Sequence, residues 1–255
     1  MTVPPPTGAL APLVADPEGT ALLFDFDGTL APIVASPAAA QPAPGVVDLL
    51  GRLAGRYQLV AAVSGRPVDF LAAHLPRSLV LSGLYGLESV VDGVHRVRPG
   101  VERWRAAISE VADRAEAAGV EGMLVERKGL SVTLHFRSRP DADEDVTRLA
   151  AELAEATGLE ARPAKMSMEL HPPVSSDKGL VVRELAGGAR GVLYVGDDVG
   201  DLPAFDAIAE LQAGGVVAVG VAVATPELPQ AVRAAADLEV DGPVGVVALL
   251  RALLG

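Results

Sequence analysis

The stretch "LLFDFDGTLAP" (22–32) sets two acids, Asp25 and Asp27, at the end of an otherwise apolar run. Residues two apart on a strand share a face, so two mutually repelling carboxylates meet where the chain leaves a sheet. Asp and Thr in such a place can serve as a solvated strand end or a helix cap. They can also be held together for chemistry. A second polar group, Ser64-Gly65, ends the run "YQLVAAVSG" (57–65), and Asp197, Asp198 and Asp201 follow "GVLYVG". One acid cluster beside a helix start could be capping alone. Two clusters at two strand ends of one sheet point to a hard cation, because Mg²⁺ accepts carboxylate oxygens, keeps waters and bridges to substrate phosphate. Of two paired carboxylates, one can be a nucleophile and its neighbour a general acid and then a base.

These groups need a scaffold that delivers strand ends to one edge. Residues 21–26, 57–65, 78–86, 191–198 and 215–221 read as buried strands, and 45–55, 66–76, 201–211 and 243–255 as helices. That alternation predicts an α/β fold with a parallel, doubly wound Rossmann-like sheet, whose crevice lies beyond the carboxyl ends of the strands. The middle differs. An amphipathic helix over 101–119 is followed by two β-type runs around "RKG" in "GMLVERKGLSVTLHFR" (122–137). A second helix over 141–158, with acids in its first turn, precedes further strand at 159–172. This reads as a smaller α/β cap domain over 101–174, inserted into a core made of 1–100 and 175–255, with 1–18 a loose Pro-rich lead-in.

Composition narrows the function. The chain has 255 residues, half of them apolar, and a formal net charge of −12 with no basic run. Nucleic acid and anionic membrane surfaces are poor partners for such a charge, whereas a small phosphorylated ligand needs only a few placed cations. The absence of cysteine excludes disulfides, zinc thiolates and thiol catalysis, and fits a reducing cytoplasm. The N-terminus reads as no secretory signal, and the most apolar later run, 214–224, is too short to span a bilayer. The expected working unit is a soluble monomer.

"DFDGTL", "SGR", a lone Lys178 before a helix and "GDDVGD" match, in order, the four motifs of haloacid-dehalogenase-like (HAD) phosphohydrolases. "DFDGTLAPIV", "SGRPVDFL", "GLYGLE", "ERKGLSVTLHFR", "KMSMELHP" and "GDDVGDLPAF" more narrowly resemble trehalose-6-phosphate phosphatases, over most of residues 20–250. The resemblance implies a Mg²⁺-dependent hydrolysis of trehalose 6-phosphate. Asp25 would attack phosphorus and Asp27 would protonate the leaving oxygen and then activate water. Asp197 would be a direct metal ligand, Asp198 or Asp201 would act directly or through water, and the Asp27 carbonyl would complete the set. Ser64 and Lys178 would hold the phosphoryl oxygens. In the cap, the resemblance places Glu126, Lys128 and Glu169 at the sugar. Ser131, His135 and Arg137 lie on the same run, and Arg66 and the loop 85–88 would line the core side.

Two positions depart from the family pattern. Leu202 stands where an acid usually follows "GDD", which removes a group that could support the metal's hydration shell. His171 stands where the family often has Arg. The rival readings are the same chemistry on another sugar phosphate, a phosphomutase, and a non-catalytic sugar-phosphate sensor. The presence of both Asp25 and Asp27 argues against the sensor.

Overall fold

The computed structural model describes residues 8–34, 37–164, 166–226 and 228–255. In chain order the elements are α1 (Ala11–Ala15), β1 (Thr20–Phe24), α2 (Val46–Ala54), β2 (Leu59–Val63), α3 (Val68–His74), β3 (Val80–Gly83), β4 (Glu88–Val91) and β5 (Val94–Val97). Then come α4 (Arg105–Ala118), β6 (Leu124–Arg127), β7 (Val132–His135), α5 (Asp143–Thr157), β8 (Glu160–Ala164) and β9 (Ser167–His171). The chain closes with α6 (Lys178–Leu185), β10 (Gly191–Gly196), α7 (Leu202–Ala213), β11 (Val217–Ala224), α8 (Gln230–Ala235), β12 (Leu238–Asp241) and α9 (Gly242–Leu254). They fall into two compact units, one running to Arg96 and resuming at Ser176, the other Val97–Ser175.

The larger unit is built on an eight-stranded sheet in the order β12-β11-β10-β1-β2-β3-β4-β5. The six strands from β12 to β3 pair in parallel, and β4 runs antiparallel to β3. The sheet is therefore parallel at its centre with an antiparallel extension, β4 and β5, that the apolar pattern did not announce. Strand alternation feeds two cores. Leu22 and Phe24 join Val46, Leu50 and Leu53 of α2 and Val246 and Leu250 of α9 on one face. Ala21 and Leu23 join Val181 and Val182 of α6 and Phe205 and Ile208 of α7 on the other. Each large apolar side chain so buried contributes about 1.5–3 kcal/mol, which explains a β1 apolar on both faces.

The segment 8–18 differs from the loose lead-in expected. Leu10, Leu13 and Val14 fall at helical spacing, and Leu13 is fully buried in the first core with Leu10 and Val14 packed beside it. A stripe of three apolar residues anchors even a short helix when a core accepts it. Residues 1–7 lie outside the described residues.

The smaller unit has a four-stranded antiparallel sheet in the order β6-β7-β9-β8. Val132 and Leu134 of β7 and Met168 and Leu170 of β9 pack with Ile108, Val111 and Ala115 of α4 and Val146, Ala150 and Leu153 of α5. The alternate residues of the same strands therefore point to the opposite face, and that face is polar.

Candidate active site

The chain runs outward from β1 through β2 to β3 on one side, and from β10 through β11 to β12 on the other. The order thus reverses between β1 and β10, the topological switch point at which open α/β sheets bind ligands. Asp25 leaves β1 and Asp197 leaves β10 at this point. Their strands lie side by side, and the Asp25 amide donates to the Val195 carbonyl at 2.9 Å. Gly28 turns the chain away with φ 84°. A Cβ there would collide with the Asp197 carboxylate, so the two strand ends approach only because the residue is glycine.

Lys178 reaches this place from the first position of α6. The Asp177 side chain accepts from the Leu180 amide at 2.7 Å and fixes where that helix begins. Lys178 is 3 % exposed, and its ammonium donates to Asp25 Oδ1 at 2.7 Å and to Asp201 Oδ1 at 2.6 Å. Asp201 accepts further bonds: from the Tyr194 hydroxyl at 2.6 Å on Oδ1, and from the Asp197 and Asp198 amides at 2.8 and 3.0 Å on Oδ2. Asp198 is the N-cap of the short turn that leads into α7, and its Oδ1 accepts from the Gly200 amide at 2.9 Å. Capping, the plain expectation for such acids, is thus the part Asp198 plays in this geometry.

Burial drives the electrostatics. It pushes the Asp25 carboxyl well above the usual carboxylate range, and Asp201, Asp197 and Asp198 push the same way against the pull of Lys178. For Lys178 burial opposes the charge, but the Asp201 and Asp25 carboxylates outweigh it and hold the ammonium well above its ordinary value. One cation therefore does not offset these acids. Carboxylate oxygens of Asp25, Asp197 and Asp201, all buried, lie within 4.8 Å of one another. An all-oxygen, anionic donor set of this kind fits a hard divalent cation such as Mg²⁺. Within that set Asp201 also accepts four hydrogen bonds, which fix its orientation.

The second acid of the motif lies in a different environment. Asp27, whose side chain is 38 % exposed, is gripped by Arg66, with Nε to Oδ2 at 2.7 Å and Nη2 to Oδ1 at 2.6 Å. Arg66 Nη1 donates to the Pro37 carbonyl at 2.8 Å, and the guanidinium stacks over Phe70 at 4.5 Å. In this structure Arg66, expected at the substrate, holds Asp27 through both prongs of its guanidinium. Ser64 is buried at the end of β2, and its Oγ accepts from the Arg66 amide at 3.2 Å.

In the smaller unit the polar face of the sheet carries the remaining expected residues. His135 and Glu126 pair at 2.7 Å. Glu169 accepts from the Ser131 hydroxyl at 2.6 Å and lies 3.7 Å from the Lys128 ammonium. Arg137 is half-buried in the turn beyond β7. The hydroxyl of Thr133, a residue opposite both Glu126 and Glu169 in the ladder, and Nε2 of His171 are buried with no hydrogen-bond partner among the described residues. Tyr194, Thr133 and the Pro37 carbonyl escaped the sequence reading. Only Tyr194 left a signal there, as a polar tip in a strand otherwise apolar on both faces.

Comparison with known proteins agrees with this geometry. A family model described as trehalose-phosphatase matches residues 23–240. A trehalose-phosphate phosphatase of Mycolicibacterium paratuberculosis is 34 % identical over 74 % of this chain and 51 % of its own length. One of Mycobacterium leprae is 29 % identical over 77 % of this chain and 49 % of its own. The chain thus spans about half the length of these curated relatives. Among solved structures, the C-terminal domain of C. albicans trehalose-6-phosphate phosphatase superposes with a TM-score of 0.78 at 22 % identity, covering 98 % of this chain and 97 % of that one. A trehalose-6-phosphate phosphatase related protein gives 0.75 at 24 %, covering 92 % and 98 %, so both share the fold. With its family model matched from β1 to β12, and its acids gathered where β1 and β10 end, the chain belongs to the trehalose-phosphatase family.

Proposed function

We propose that this chain hydrolyses trehalose 6-phosphate to trehalose and phosphate through an aspartyl-phosphate on Asp25. The observation that carries the reading is the unlike treatment of the two acids of "DFDGTL". Asp25 is buried against Lys178, whereas Asp27 is half-exposed and held by Arg66. A nucleophile needs a fixed, shielded position, and a proton carrier needs access to the leaving oxygen and then to water.

In the first step an Asp25 oxygen bonds to phosphorus as the phosphorus–sugar oxygen bond breaks, and the departing oxygen takes a proton from Asp27. In the second, Asp27 takes a proton from water while that water's oxygen bonds to phosphorus. The acyl-phosphate bond breaks, and phosphate leaves with Asp25 restored as a carboxylate. Lys178, with one ammonium hydrogen beyond those given to Asp25 and Asp201, would bind a phosphoryl oxygen, as would the Ser64 hydroxyl. Mg²⁺ would be held by Asp25, the Asp27 carbonyl and Asp197, with Asp198 and Asp201 supporting the site. When bound, it supplies positive charge against the phosphoryl oxygens and the acids around them. Glu126, Lys128, His135, Arg137 and Glu169 would recognise the sugar hydroxyls. We place the enzyme in the cytoplasm as a monomer, acting on a small molecule with neither nucleic acid nor membrane as partner. No helix among the described residues is long and apolar enough to cross a membrane.

Acid-quenched enzyme caught during turnover of trehalose 6-phosphate tests this chemistry. Mass spectrometry is expected to find a phosphoryl group on the peptide that contains Asp25. A phosphoryl group elsewhere, or phosphate release that persists in Asp25→Asn, would refute the assignment.

A further inference from the structure

Tyr194 lies in β10, three residues before Asp197, and is fully buried. A tyrosine in a core strand is ordinarily chosen for its ring, with its hydroxyl left to find any partner. Here the partner is the oxygen that also binds the active-site lysine. The hydroxyl donates to Asp201 Oδ1 at 2.6 Å, and the Lys178 ammonium donates to the same oxygen at 2.6 Å and to Asp25 Oδ1 at 2.7 Å. We propose that Tyr194 is a positioning residue of the phosphoryl-transfer site, acting through Asp201 on the placement of Lys178.

One carboxylate oxygen, Asp201 Oδ1, divides its attraction between the Tyr194 hydroxyl and the Lys178 ammonium. Asp201 Oδ2 is held by two backbone amides, so the group can respond to a change at Oδ1 only by rotating or by drawing its remaining donor closer. With the phenol present, part of the negative charge on Oδ1 is satisfied from the β10 side. Lys178 is then shared between Asp201 and Asp25 and not captured by Asp201. Without the hydroxyl, the buried ion pair to Asp201 tightens, because a low-dielectric interior strengthens every unshared electrostatic contact. The ammonium moves away from Asp25, and a displacement of about 1 Å at a reacting centre is costly in rate.

The phenol has its own support. In the sheet register Tyr194 lies opposite Gly220 of β11, and its ring meets Phe205 of α7 edge-on, with centroids 5.6 Å apart. A Cβ on Gly220 would stand 2.8 Å from Phe205 Cδ1, so the glycine leaves room for the ring that braces the tyrosine. A continuous line of contacts therefore runs from β11 through α7 and β10 to Asp201, Lys178 and Asp25.

This inference rests on the phosphatase reading of the same site, and the test separates the two. Tyr194→Phe keeps the ring and removes only the hydroxyl. Measured with both trehalose 6-phosphate and p-nitrophenyl phosphate, kcat is expected to fall about tenfold, the lower end for partners outside the first layer of a site, with KM within about twofold. In an Asp201→Asn background the same change is expected to add less than about twofold, because the hydroxyl has lost the group it acts on. A crystal structure of Tyr194→Phe is expected to show Lys178 drawn beyond hydrogen-bond distance of Asp25. Unchanged kcat in a folded variant, effects that multiply in the double variant, or an unmoved Lys178 would each overturn the proposal. Wild-type turnover of p-nitrophenyl phosphate without turnover of trehalose 6-phosphate would instead count against the sugar assignment and leave this test intact. If the wild type hydrolyses neither ester, the position of Lys178 in the variant decides alone.

Discussion

Two aspartates two residues apart are given opposite surroundings, and the account depends on that difference. Asp25→Asn keeps size and packing but removes the charge that would attack phosphorus. Phosphate release is expected to fall more than about a thousandfold, and a colorimetric phosphate assay against wild type checks it. Arg66→Lys tests the clamp on Asp27. Lysine keeps the charge but loses the two-pronged geometry and the stacking on Phe70. Steady-state kinetics is expected to show kcat lower by about 10–100-fold with KM little changed, as for a group that orients a reacting residue. A rise in KM alone would return Arg66 to the substrate. At this scale the placement of Asp25 and Asp27 at the end of β1 was legible, because motif spacing after an apolar strand fixes where such residues emerge. The partner of Arg66 was not, since Asp27 is 39 positions away and the pairing depends on two loop paths. The Tyr194 hydroxyl was hidden for a related reason, because an apolar strand pattern says nothing about where one polar tip ends.

The elements give their own predictions, and the four-stranded sheet supplies two. Thr133 has a buried hydroxyl without a hydrogen-bond partner among the described residues, a state that costs about 1–3 kcal/mol. Thr133→Val removes the hydroxyl and keeps the shape, so thermal unfolding is expected to rise by about 2–4 °C. A fall of similar size would mean that the hydroxyl is satisfied in solution. His171, also buried, donates from Nδ1 to the Pro172 carbonyl at 2.8 Å. Burial, and then the nearby Arg162, lower its proton affinity below the ordinary value of 6.5. The unfolded chain therefore takes up the proton first as pH falls. The stability that this histidine contributes is complete above about pH 6.5 and declines below it, towards the lower native value. Unfolding curves from pH 7.5 to 5 are expected to show this loss, and His171→Asn is expected to flatten it. An equal slope in the variant would assign the loss to other groups. The hairpin of β4 and β5 carried its signal all along, since Asp92 and Gly93 take φ 52° and 74° as a two-residue hairpin turn requires. The stretch "ESVVDGVHRV" is nevertheless too polar to read as buried strand. Helix α1 is hidden for the opposite reason: Pro12 and the prolines around the helix read as loop, and only the core shows that Leu13 has a place to go.

On the scale of the whole molecule, the pattern of alternating strands and helices was enough for the parallel sheet, which follows from periodicity and from the short reach of connecting loops. The strand order that puts the switch point between β1 and β10 was not, because periodicity does not say which strands become neighbours. The choice of sugar is of another kind. In the proposed reading it would rest on the polar face of the small sheet, where Glu126, Lys128, His135 and Glu169 pair among themselves at 2.7 and 3.7 Å. Which hydroxyls break those pairs cannot be read from a strand pattern. The most direct test is therefore phosphate release from trehalose 6-phosphate beside glucose 6-phosphate and sucrose 6-phosphate, each with Mg²⁺, with EDTA, and with Mg²⁺ restored. The account predicts release from trehalose 6-phosphate with kcat/KM at least about tenfold above either alternative, which corresponds to about 1.4 kcal/mol of transition-state discrimination. It also predicts loss of that release in EDTA and recovery with Mg²⁺. Equal turnover of the three esters, or undiminished release in EDTA, would contradict it.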